Sequence, residues 1–305
     1  MTYIAQYAKQ GKITVQANSE TVTYDGNEQT VSDYTATGLP TGFTLEGLTA
    51  TASGTDAGSY PVQVTGTAKI TDQNGKDVTD HFIVNKANGT LLIEKRNVTL
   101  TSATESKEYD GTPLTNRTVT VSGGSWADGE GATYNVTGSQ LVAGSSANSF
   151  TYTLNDGTKA DNYNIATQFG TLTITDRPVD GKYPITVTAK SGKFVYDGNE
   201  KTVSGIETLN FTVGGKEYTV EGLPAEAKAT NLGTYSVAIT GTPVVKDAEN
   251  HDVTAQFDIT KVNGTMTILG TLAYDGNGQG ENPVVNGVPT DDGQYANGAK
   301  KTLSE

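Results

Sequence analysis

The sequence contains no cysteine among its 305 residues. Disulfides, thiolate metal ligands and a cysteine nucleophile are therefore excluded. The sequence also lacks any apolar run of about 18 residues and any basic segment followed by a short apolar stretch. We therefore expect that this segment neither inserts into a membrane nor carries a secretion signal of its own.

Basic residues are scarce as well: 21 Lys and Arg stand against 34 Asp and Glu, which gives a net charge of −13. Nucleic-acid binding requires clustered basic side chains that replace counterions, and the sequence shows no such cluster. Nucleic acid is therefore not an expected partner, and the even spread of acidic residues favours a soluble, monomeric fragment.

Catalytic motifs are also missing. The two histidines, His81 and His251, fall at different positions of the repeats described below, so we interpret both as surface or strand residues. No Ser-His-Asp set, phosphate loop or metal-binding histidine pair can be assembled, and no pair of carboxylates stands out from the 34 acids. We predict that the chain is not an enzyme and has no catalytic residues or cofactor.

What the sequence does contain is a long internal repeat. The tripeptide Tyr-Asp-Gly opens three segments at a spacing of about 85 residues, each with a closing Gly-Thr pair, and it occurs once more at Tyr274 in the C-terminal flank. A period of this length allows each repeat to enclose its own core. The tripeptides are Tyr24-Asp25-Gly26, Tyr109-Asp110-Gly111 and Tyr196-Asp197-Gly198, and the closing pairs are Gly89-Thr90, Gly170-Thr171 and Gly264-Thr265.

Each repeat begins and ends with apolar residues that alternate with threonine, as in Ile13-Thr14-Val15 and Met266-Thr267-Ile268. This period-two pattern is typical of strands with one buried face. The sequence predicts an all-β tandem array of three small β-sandwich (immunoglobulin-like) or β-grasp-like modules in an elongated rod. The expected domains are 12–96, 97–178 and 179–269 with a short linker at 179–183, preceded by a last strand of another repeat at 1–11 and followed by a truncated repeat at 270–305.

Two local features of the repeats have structural interpretations. Asp-Gly between apolar runs predicts a two-residue type I′ hairpin turn, with the preceding tyrosine at the hairpin end and its hydroxyl in water. Phe82, Tyr163 and Phe257 each follow an acidic turn and precede the closing strand. We expect each of these three rings to be buried and to fill one core.

Acidic and amide residues gather in the loop before the last strands, and hard cations prefer such oxygens. The spacing does not match an EF-hand, so a solvated turn is the competing interpretation. The calcium candidates are Asp72, Asn74, Asp77, Asp247, Glu249 and Asp252.

The order Tyr-Asp-Gly, Gly-(Ser/Thr)-Tyr and closing Gly-Thr-(Leu/Met)-X-Ile over residues 12–269 resembles the MBG or YDG-type repeats of large bacterial surface proteins. The flanks resemble partial Listeria–Bacteroides (internalin B-type) repeats, at Thr2–Tyr7 and from Ala273-Tyr274-Asp275-Gly276 to Tyr295-Ala296-Asn297-Gly298. The middle repeat departs most, because it lacks the Asp-Ala-Gly-Ser-Tyr element and holds the one tryptophan, Trp126.

The resemblance implies an extracellular protein, secreted or on a Gram-positive cell surface, in which such repeats form a stalk. The expected function is a non-catalytic stalk or spacer of an adhesin that presents a distal binding domain, with a host glycan, mucin or surface protein as partner through other domains. Two alternatives stay open: a carbohydrate- or mucin-binding adhesin module, and a non-catalytic accessory region of a secreted polysaccharide-degrading enzyme.

Overall fold

The computed structural model describes residues 11–273 and 284–286. Most of these residues form strands, and the rest form loops, turns and four short 3₁₀ turns, which confirms the all-β class. Within those residues no helix is long and apolar enough to cross a membrane. The expected strand at Thr2–Tyr7 lies outside the described residues, as does most of the truncated repeat at 270–305.

The chain divides into two compact units. The first unit comprises Met1–Glu105, Thr115–Ser139 and Ser146–Leu172, and the second comprises Ser106–Leu114, Gln140–Ser145 and Thr173–Glu305. The division runs through the middle repeat, so the boundaries of the three repeats stay a prediction. We keep the terms first, second and third repeat for residues 12–96, 97–178 and 179–269.

Eight strands form the first repeat, and one short 3₁₀ turn, Thr79–His81, precedes the seventh. They are β1 Gly11–Ala17, β2 Glu20–Thr23, β3 Gln29–Ser32, β4 Tyr34–Thr37, β5 Thr44–Gly54, β6 Gly58–Thr71, β7 Phe82–Ala87 and β8 Gly89–Glu94.

Eight further strands, with a 3₁₀ turn at Ala160–Asn162, form the second repeat. They are β9 Arg96–Ser102, β10 Glu105–Glu108, β11 Val119–Ser122, β12 Ala132–Val136, β13 Gly144–Ala147, β14 Phe150–Leu154, β15 Tyr163–Gln168 and β16 Thr171–Thr175.

The third repeat has ten strands and two 3₁₀ turns, Val179–Gly181 and Thr254–Gln256, and a short hairpin follows it. The strands are β17 Tyr183–Thr188, β18 Gly192–Val195, β19 Lys201–Ser204, β20 Asn210–Val213, β21 Lys216–Glu221, β22 Ala225–Ala229, β23 Gly233–Ile239, β24 Val244–Asp247, β25 Phe257–Val262 and β26 Gly264–Leu269; the hairpin is β27 Thr271–Ala273 with β28 Val284–Asn286.

The first and third repeats share one topology. Their five-stranded sheets run β2-β8-β6-β5-β3 and β18-β26-β23-β22-β19, with the last strand of the repeat parallel to the strand before Tyr-Asp-Gly. In both, the opening strand pairs in parallel with the strand that follows the 3₁₀ turn, β1 with β7 and β17 with β25. The predicted alternation is confirmed where it can be read most clearly, since Val62 and Val237 are fully buried.

The second repeat keeps part of this plan. In the first unit, β9 pairs with β11 and runs parallel to β15, while β12 pairs with β14. The sheet β10-β16-β13 lies mainly in the second unit. Phe150 is buried as the alternation predicts, but Tyr152, two residues along the same strand, is exposed.

The hairpin interpretation of Tyr-Asp-Gly is wrong. In the outer repeats the strands on either side of the tripeptide lie at opposite edges of the five-stranded sheet. The glycines have positive φ (87° at Gly26), but Asp25, Asp110 and Asp197 do not, so the turn is not type I′. Each aspartate instead accepts a hydrogen bond from the amide two residues later, at 2.8–2.9 Å, which is an Asx turn.

The closing Gly-Thr pairs mark the points where two chain segments cross. A Cβ on Gly89 would lie 2.0 Å from the carbonyl oxygen of Asn18, and one on Gly264 would lie 2.1 Å from that of Lys190. Gly89 is the first residue of β8, and β8 and the preceding strand β7 belong to different sheets. Glycine is therefore required here because the backbones touch, and not because the chain turns in a hairpin.

Candidate functional site: the joints between repeats

Two of the Tyr-Asp-Gly tyrosines, Tyr24 and Tyr109, lie where one repeat meets the next. Tyr24, predicted to have its hydroxyl in water, is 3% exposed and donates a hydrogen bond to Oε1 of Glu130 in the second repeat. Tyr163 donates to Oε2 of the same carboxylate at 2.5 Å. The two tyrosine rings pack edge to face with centroids 5.5 Å apart. One carboxylate thus joins two repeats within the first unit, and we call this contact the first joint.

Aromatic packing completes the first joint. Trp126 packs against Tyr163 with ring centroids 4.9 Å apart, and the amide of Ala127 donates to the Tyr163 hydroxyl at 2.9 Å. A Cβ on Gly26 would lie 3.2 Å from that of Ala127, so the Tyr-Asp-Gly turn itself presses on the second repeat. The joint is therefore closely packed on both sides.

Burial and the nearby carboxylate change the acidity of these tyrosines. Burial first, and the Glu130 carboxylate second, raise the pKa of Tyr24 to about 12 and that of Tyr163 to about 12. Both causes disfavour the phenolate, since a low dielectric and a neighbouring anion each oppose a new negative charge. The hydroxyls therefore remain donors at any physiological pH.

An arginine side chain donates hydrogen bonds to the backbone of the Tyr24 turn and to Ser125 of the second repeat. Arg96, the first residue of β9, donates from Nη1 to the carbonyl oxygen of Tyr24 at 3.3 Å, and from Nε and Nη2 to Ser125 at 2.5 and 2.8 Å. A single residue, Lys95, separates β8 from β9. The planar guanidinium holds three acceptors in a fixed arrangement, which an ammonium group could not do.

A buried amide adds a polar contact. Asn162 is 1% exposed; its Nδ2 donates to Oδ1 of Asp56 at 2.9 Å, and its Oδ1 accepts from the amide of Ala57 at 2.8 Å. Hydrogen bonds from Asn162 and then from Lys159 lower the pKa of the Asp56 carboxyl. One hydrophobic cluster, from Ile13 to Tyr163, runs through both sides of the joint.

The second joint, in the second unit, follows the same plan with different partners. Tyr109 is 1% exposed, and its hydroxyl lies 3.4 Å from that of Tyr218 in the third repeat. Tyr218 packs on Phe257 with centroids 4.9 Å apart, at the same 68° interplanar angle as Trp126 on Tyr163. Burial raises the pKa of Tyr109 and of Tyr218, with the Tyr109 shift increased by its hydrogen bond to Tyr218.

Arginine and amide recur in this second joint. Arg177 donates from Nη1 to the carbonyl oxygen of Tyr109 at 3.0 Å, and its guanidinium lies 4.3 Å from the ring centroid of Tyr183. Gln256, 2% exposed, accepts from the Arg177 amide at 3.0 Å and donates to Asp176 at 2.5 Å. The residues between the strands are thus fixed by hydrogen bonds.

The third Tyr-Asp-Gly is open. Tyr196 is half-buried, although its amide donates to the carbonyl of Leu269 at 2.8 Å as the equivalent amides do in the other copies. A Cβ on Gly198 would meet no atom within 4 Å among the described residues. The three aromatic rings that were predicted to fill the cores also differ in burial. Tyr163 and Phe257 are 3% and 4% exposed, but Phe82 is only partly buried, beside Phe43.

Local hydrogen bonds already occupy most of the calcium candidates. Oδ1 of Asp72 accepts from the amides of Asn74 and Lys76. Asp77 and Asp252 each accept from the amide and hydroxyl of the threonine two residues later, and those hydroxyl bonds are the first cause of their lowered pKa values.

The third repeat also groups three possible ligands, since Asp247, Glu249 and His251 offer atoms within 4.8 Å of one another. The Asp247 carboxylate accepts from the His251 amide at 2.7 Å and lies 2.9 Å from the His251 ring nitrogen Nδ1. Calcium binding stays a prediction.

A glycan site would require exposed aromatic rings. Among the aromatic side chains of the described residues, those that are exposed are Tyr152 at 37% and Phe169 at 52%. Two open grooves lie near the first joint. One, about 640 Å³, is lined by residues such as Val98, Tyr163 and Ile165, and the Tyr163 ring is buried. The other, about 520 Å³, is lined mainly by polar and aliphatic residues such as Glu94, Lys95 and Asn97. No ring forms a platform in that groove.

The sequence interpretation missed Glu130, Arg96, Arg177, Asn162 and Gln256. The sequence did contain a positional signal for the two arginines and for the two amides. Both arginines stand three positions after a closing isoleucine, and both amides stand directly before the ring that was singled out. Glu130 has no counterpart in the other repeats that could have revealed it.

Comparisons with known proteins add little. No protein-family model matches the chain, and no curated protein matches it. Among solved structures, the endo-fucoidan hydrolase MfFcnA4 from glycoside hydrolase family 107, and a single-residue variant of it, are similar at 13% identity. The similarity covers 86% of this chain and 45% of that one, with a TM-score of 0.20.

Proposed function

We propose that residues 12–269 form a non-catalytic stalk of a bacterial cell-surface adhesin, which holds a distal binding domain away from the cell. The observation that supports this best is the repeated joint: the buried Tyr24 and Tyr109 each contact a tyrosine of the next repeat, and an arginine at the repeat boundary donates to the carbonyl oxygen of each. A spacer needs stiff connections, and flexible linkers would shorten its reach. The repeats carry no common arrangement that points to catalysis.

The proposal has a structural test. Three repeats of roughly 30–40 Å in series give a maximum dimension above ~90 Å in small-angle scattering. A compact particle of ~60 Å would overturn the stalk proposal.

A second test measures the stiffness of the first joint. Because the chain has no cysteine, spin labels can be placed at Glu28→Cys and Asp156→Cys, two exposed sites on either side of the joint. We expect a narrow distance distribution that broadens when Glu130→Ala and Arg96→Ala are added. A broad distribution in the parent chain would contradict a stiff stalk.

A glycan array separates the stalk from a binding module. A stalk gives no specific signal with any host glycan or mucin. A reproducible signal that is lost in Phe169→Ala or Tyr152→Ala would replace the stalk proposal by the carbohydrate-binding alternative.

A further inference from the structure

The first repeat closes one edge of the strand that leads into its acidic turn, β6. The Ile70 amide donates to the Thr79 hydroxyl at 2.8 Å, and the Ile70 carbonyl accepts from the Val78 amide at 2.9 Å. Further along this edge, Nζ of Lys86 donates to the carbonyl oxygen of Gly66 at 2.7 Å. The repeat thus occupies, with its own residues, groups that another strand would need for pairing.

The third repeat closes the corresponding edge in the same way. The Val245 amide of β24 donates to the Thr254 hydroxyl at 2.8 Å, and the Val253 amide donates to the Val245 carbonyl at 2.9 Å. Just before β24, the Gly241 carbonyl accepts from Nζ of Lys261 at 2.8 Å. In both repeats the threonine stands three positions before the aromatic residue that begins the next strand, and the lysine stands four positions after it.

The second repeat lacks both of these closing side chains. Ala160, which has no hydroxyl, stands three positions before Tyr163, and Thr167 stands four positions after it in place of the lysine. The strand that leads into the acidic turn here is β14, and it forms a two-stranded sheet with β12. Among the described residues, therefore, no strand pairs with the other edge of β14.

The register of β12 and β14 identifies the backbone groups at the open edge. At one end of the pair, the Thr137 amide donates to the Ser149 carbonyl at 2.9 Å. Bonding alternates along an antiparallel ladder, so every second residue from Ser149 onwards bonds to β12. The residues between them point their N–H and C=O groups away from β12, and they are Phe150, Tyr152 and Leu154.

Tyr152 is exposed beside this open edge. Its ring is 37% exposed, and its cross-strand partner on β12 is Tyr134. On the other side of Tyr152 the sheet has no further strand. A strand added there would cover the ring, and aromatic pairs across neighbouring strands stabilise a sheet.

The sequence of β14 suits pairing with a second copy of itself. When the two strands lie antiparallel with Tyr152 opposite Tyr152, Phe150 lies opposite Leu154. Thr151 then lies opposite Thr153, and the outward N–H and C=O groups of the two strands meet each other. The strand carries no charged residue, so the net charge of −13 does not place like charges opposite each other in this contact.

We propose that β14 pairs antiparallel with β14 of a second copy of this chain, so that two two-stranded sheets become one sheet of four strands. The contact is isologous and closes with two-fold symmetry, so it forms dimers and not fibres. A pairing of two five-residue strands is small, and interfaces below about 1,200 Å² are typical of weak, transient complexes. The dimer is therefore weak and reversible, in contrast to the monomeric state that the net charge predicts.

Charge-swap variants test the pairing by sedimentation equilibrium. Thr151 and Thr153 are exposed, so Thr151→Lys/Thr153→Lys and Thr151→Glu/Thr153→Glu should both fold. Each variant alone places like charges opposite each other and should associate on the order of tenfold more weakly than the parent chain. An equimolar mixture of the two variants should restore the dimer, because lysine then lies opposite glutamate. A folding defect would not produce this rescue.

The matched control is Thr65→Lys/Thr67→Lys, which adds the same charge at two exposed positions of β6, the strand with a closed edge. It should leave association unchanged. A parent chain that stays monomeric up to about 1 mM would overturn the proposal. A dimer that persists in both charge variants, or a mixture of them that stays monomeric, would also overturn it. None of these results bears on the stalk proposal, which the scattering experiment tests.

Discussion

Tyr24 and Tyr163 lie edge to face, with ring centroids 5.5 Å apart, and both donate their hydroxyl protons to the carboxylate of Glu130. Tyr24 belongs to the first repeat, and the other two residues belong to the second. The carboxylate therefore depends on both repeats for its hydrogen bonds. Trp126, the single tryptophan of the chain, packs on Tyr163 and reports on this contact by fluorescence.

Replacing Glu130 should loosen the first joint. Glu130→Ala leaves two buried hydroxyls without their acceptor, and each unsatisfied group costs about 1–3 kcal/mol. We expect a free energy of unfolding lower by roughly 2–5 kcal/mol in urea titrations followed by Trp126 fluorescence. Tyr196→Phe, at the open third copy, is the matched control and should change stability by less than about 0.5 kcal/mol. Equal effects of both variants would contradict the joint.

High pH should open the same joint. The pKa of Tyr24 and that of Tyr163 are about 12 in the folded chain, against 10 in a free tyrosine. The stability gained from their protonated hydroxyls is complete below pH 10 and is lost as the pH rises from 10 to 12. Absorbance at 295 nm should show late ionisation that coincides with a change in Trp126 emission. Tyr152→Phe, at an exposed tyrosine, should leave the late step intact, and Tyr163→Phe should reduce it.

Arginine at position 177 should not be replaceable by lysine. Arg177 contacts the Tyr109 carbonyl, the Gly181 carbonyl and the face of Tyr183 at once. A lysine cannot reproduce this fork, so Arg177→Lys and Arg177→Ala should both lower stability by about 1–3 kcal/mol. Lys95→Ala, an exposed basic residue in the other linker, serves as the control. Full rescue by lysine in thermal melts would show that charge alone matters.

Replacing Phe82 and replacing Phe257 by alanine should lower the free energy of unfolding by different amounts. Phe257 is 4% exposed, so Phe257→Ala should cost about 3–5 kcal/mol. Phe82 is only partly buried, and Phe82→Ala should cost about 1–2 kcal/mol. Calorimetry of both variants tests this difference. Similar losses would contradict the difference in burial between the two rings.

We expect that the first and second repeats do not show separate thermal unfolding transitions. One hydrophobic cluster continues from Ile13 to Tyr163, across the first joint, so the first two repeats are expected to unfold together. The simple picture of independent modules in series, each with its own core, does not anticipate this coupling.

The sequence predicted the strands well and their neighbours poorly. Alternation at Val62 and Val237 identifies a buried face, because the pattern follows directly from the pleat. The Asp-Gly of Tyr24-Asp25-Gly26 specifies a tight turn, but nothing local determines whether the two flanking strands pair. The Asp25 side chain accepts a hydrogen bond from the Asn27 amide, so the turn is an Asx turn and not a hairpin turn. The strands that flank it, β2 and β3, lie at opposite edges of the sheet.

The repeat pattern contains only part of the information needed to predict the joints. Phe82 and Phe257 both follow an Asp-Val-Thr element and differ in burial, because Phe257 packs on two rings, Tyr183 and Tyr218, whereas Phe82 packs on Phe43. Glu130 lies in the loop between β11 and β12 and has no glutamate counterpart in the other repeats, so comparison between copies could not single it out. A shared pattern identifies what the copies have in common, such as the two arginines and the two amides, whereas an acceptor such as Glu130 occurs in one joint and not in the other.

The parallel pairing of β2 with β8, and of β18 with β26, determines how a repeat responds to tension. When the two ends of a repeat are pulled apart along the strands, these ladders are sheared and their hydrogen bonds share the force. A hairpin pulled from its open end loses its bonds one after another. Shear resistance depends on the length of the ladder and not on the free energy of unfolding, so a repeat of ordinary stability at rest should withstand sudden traction.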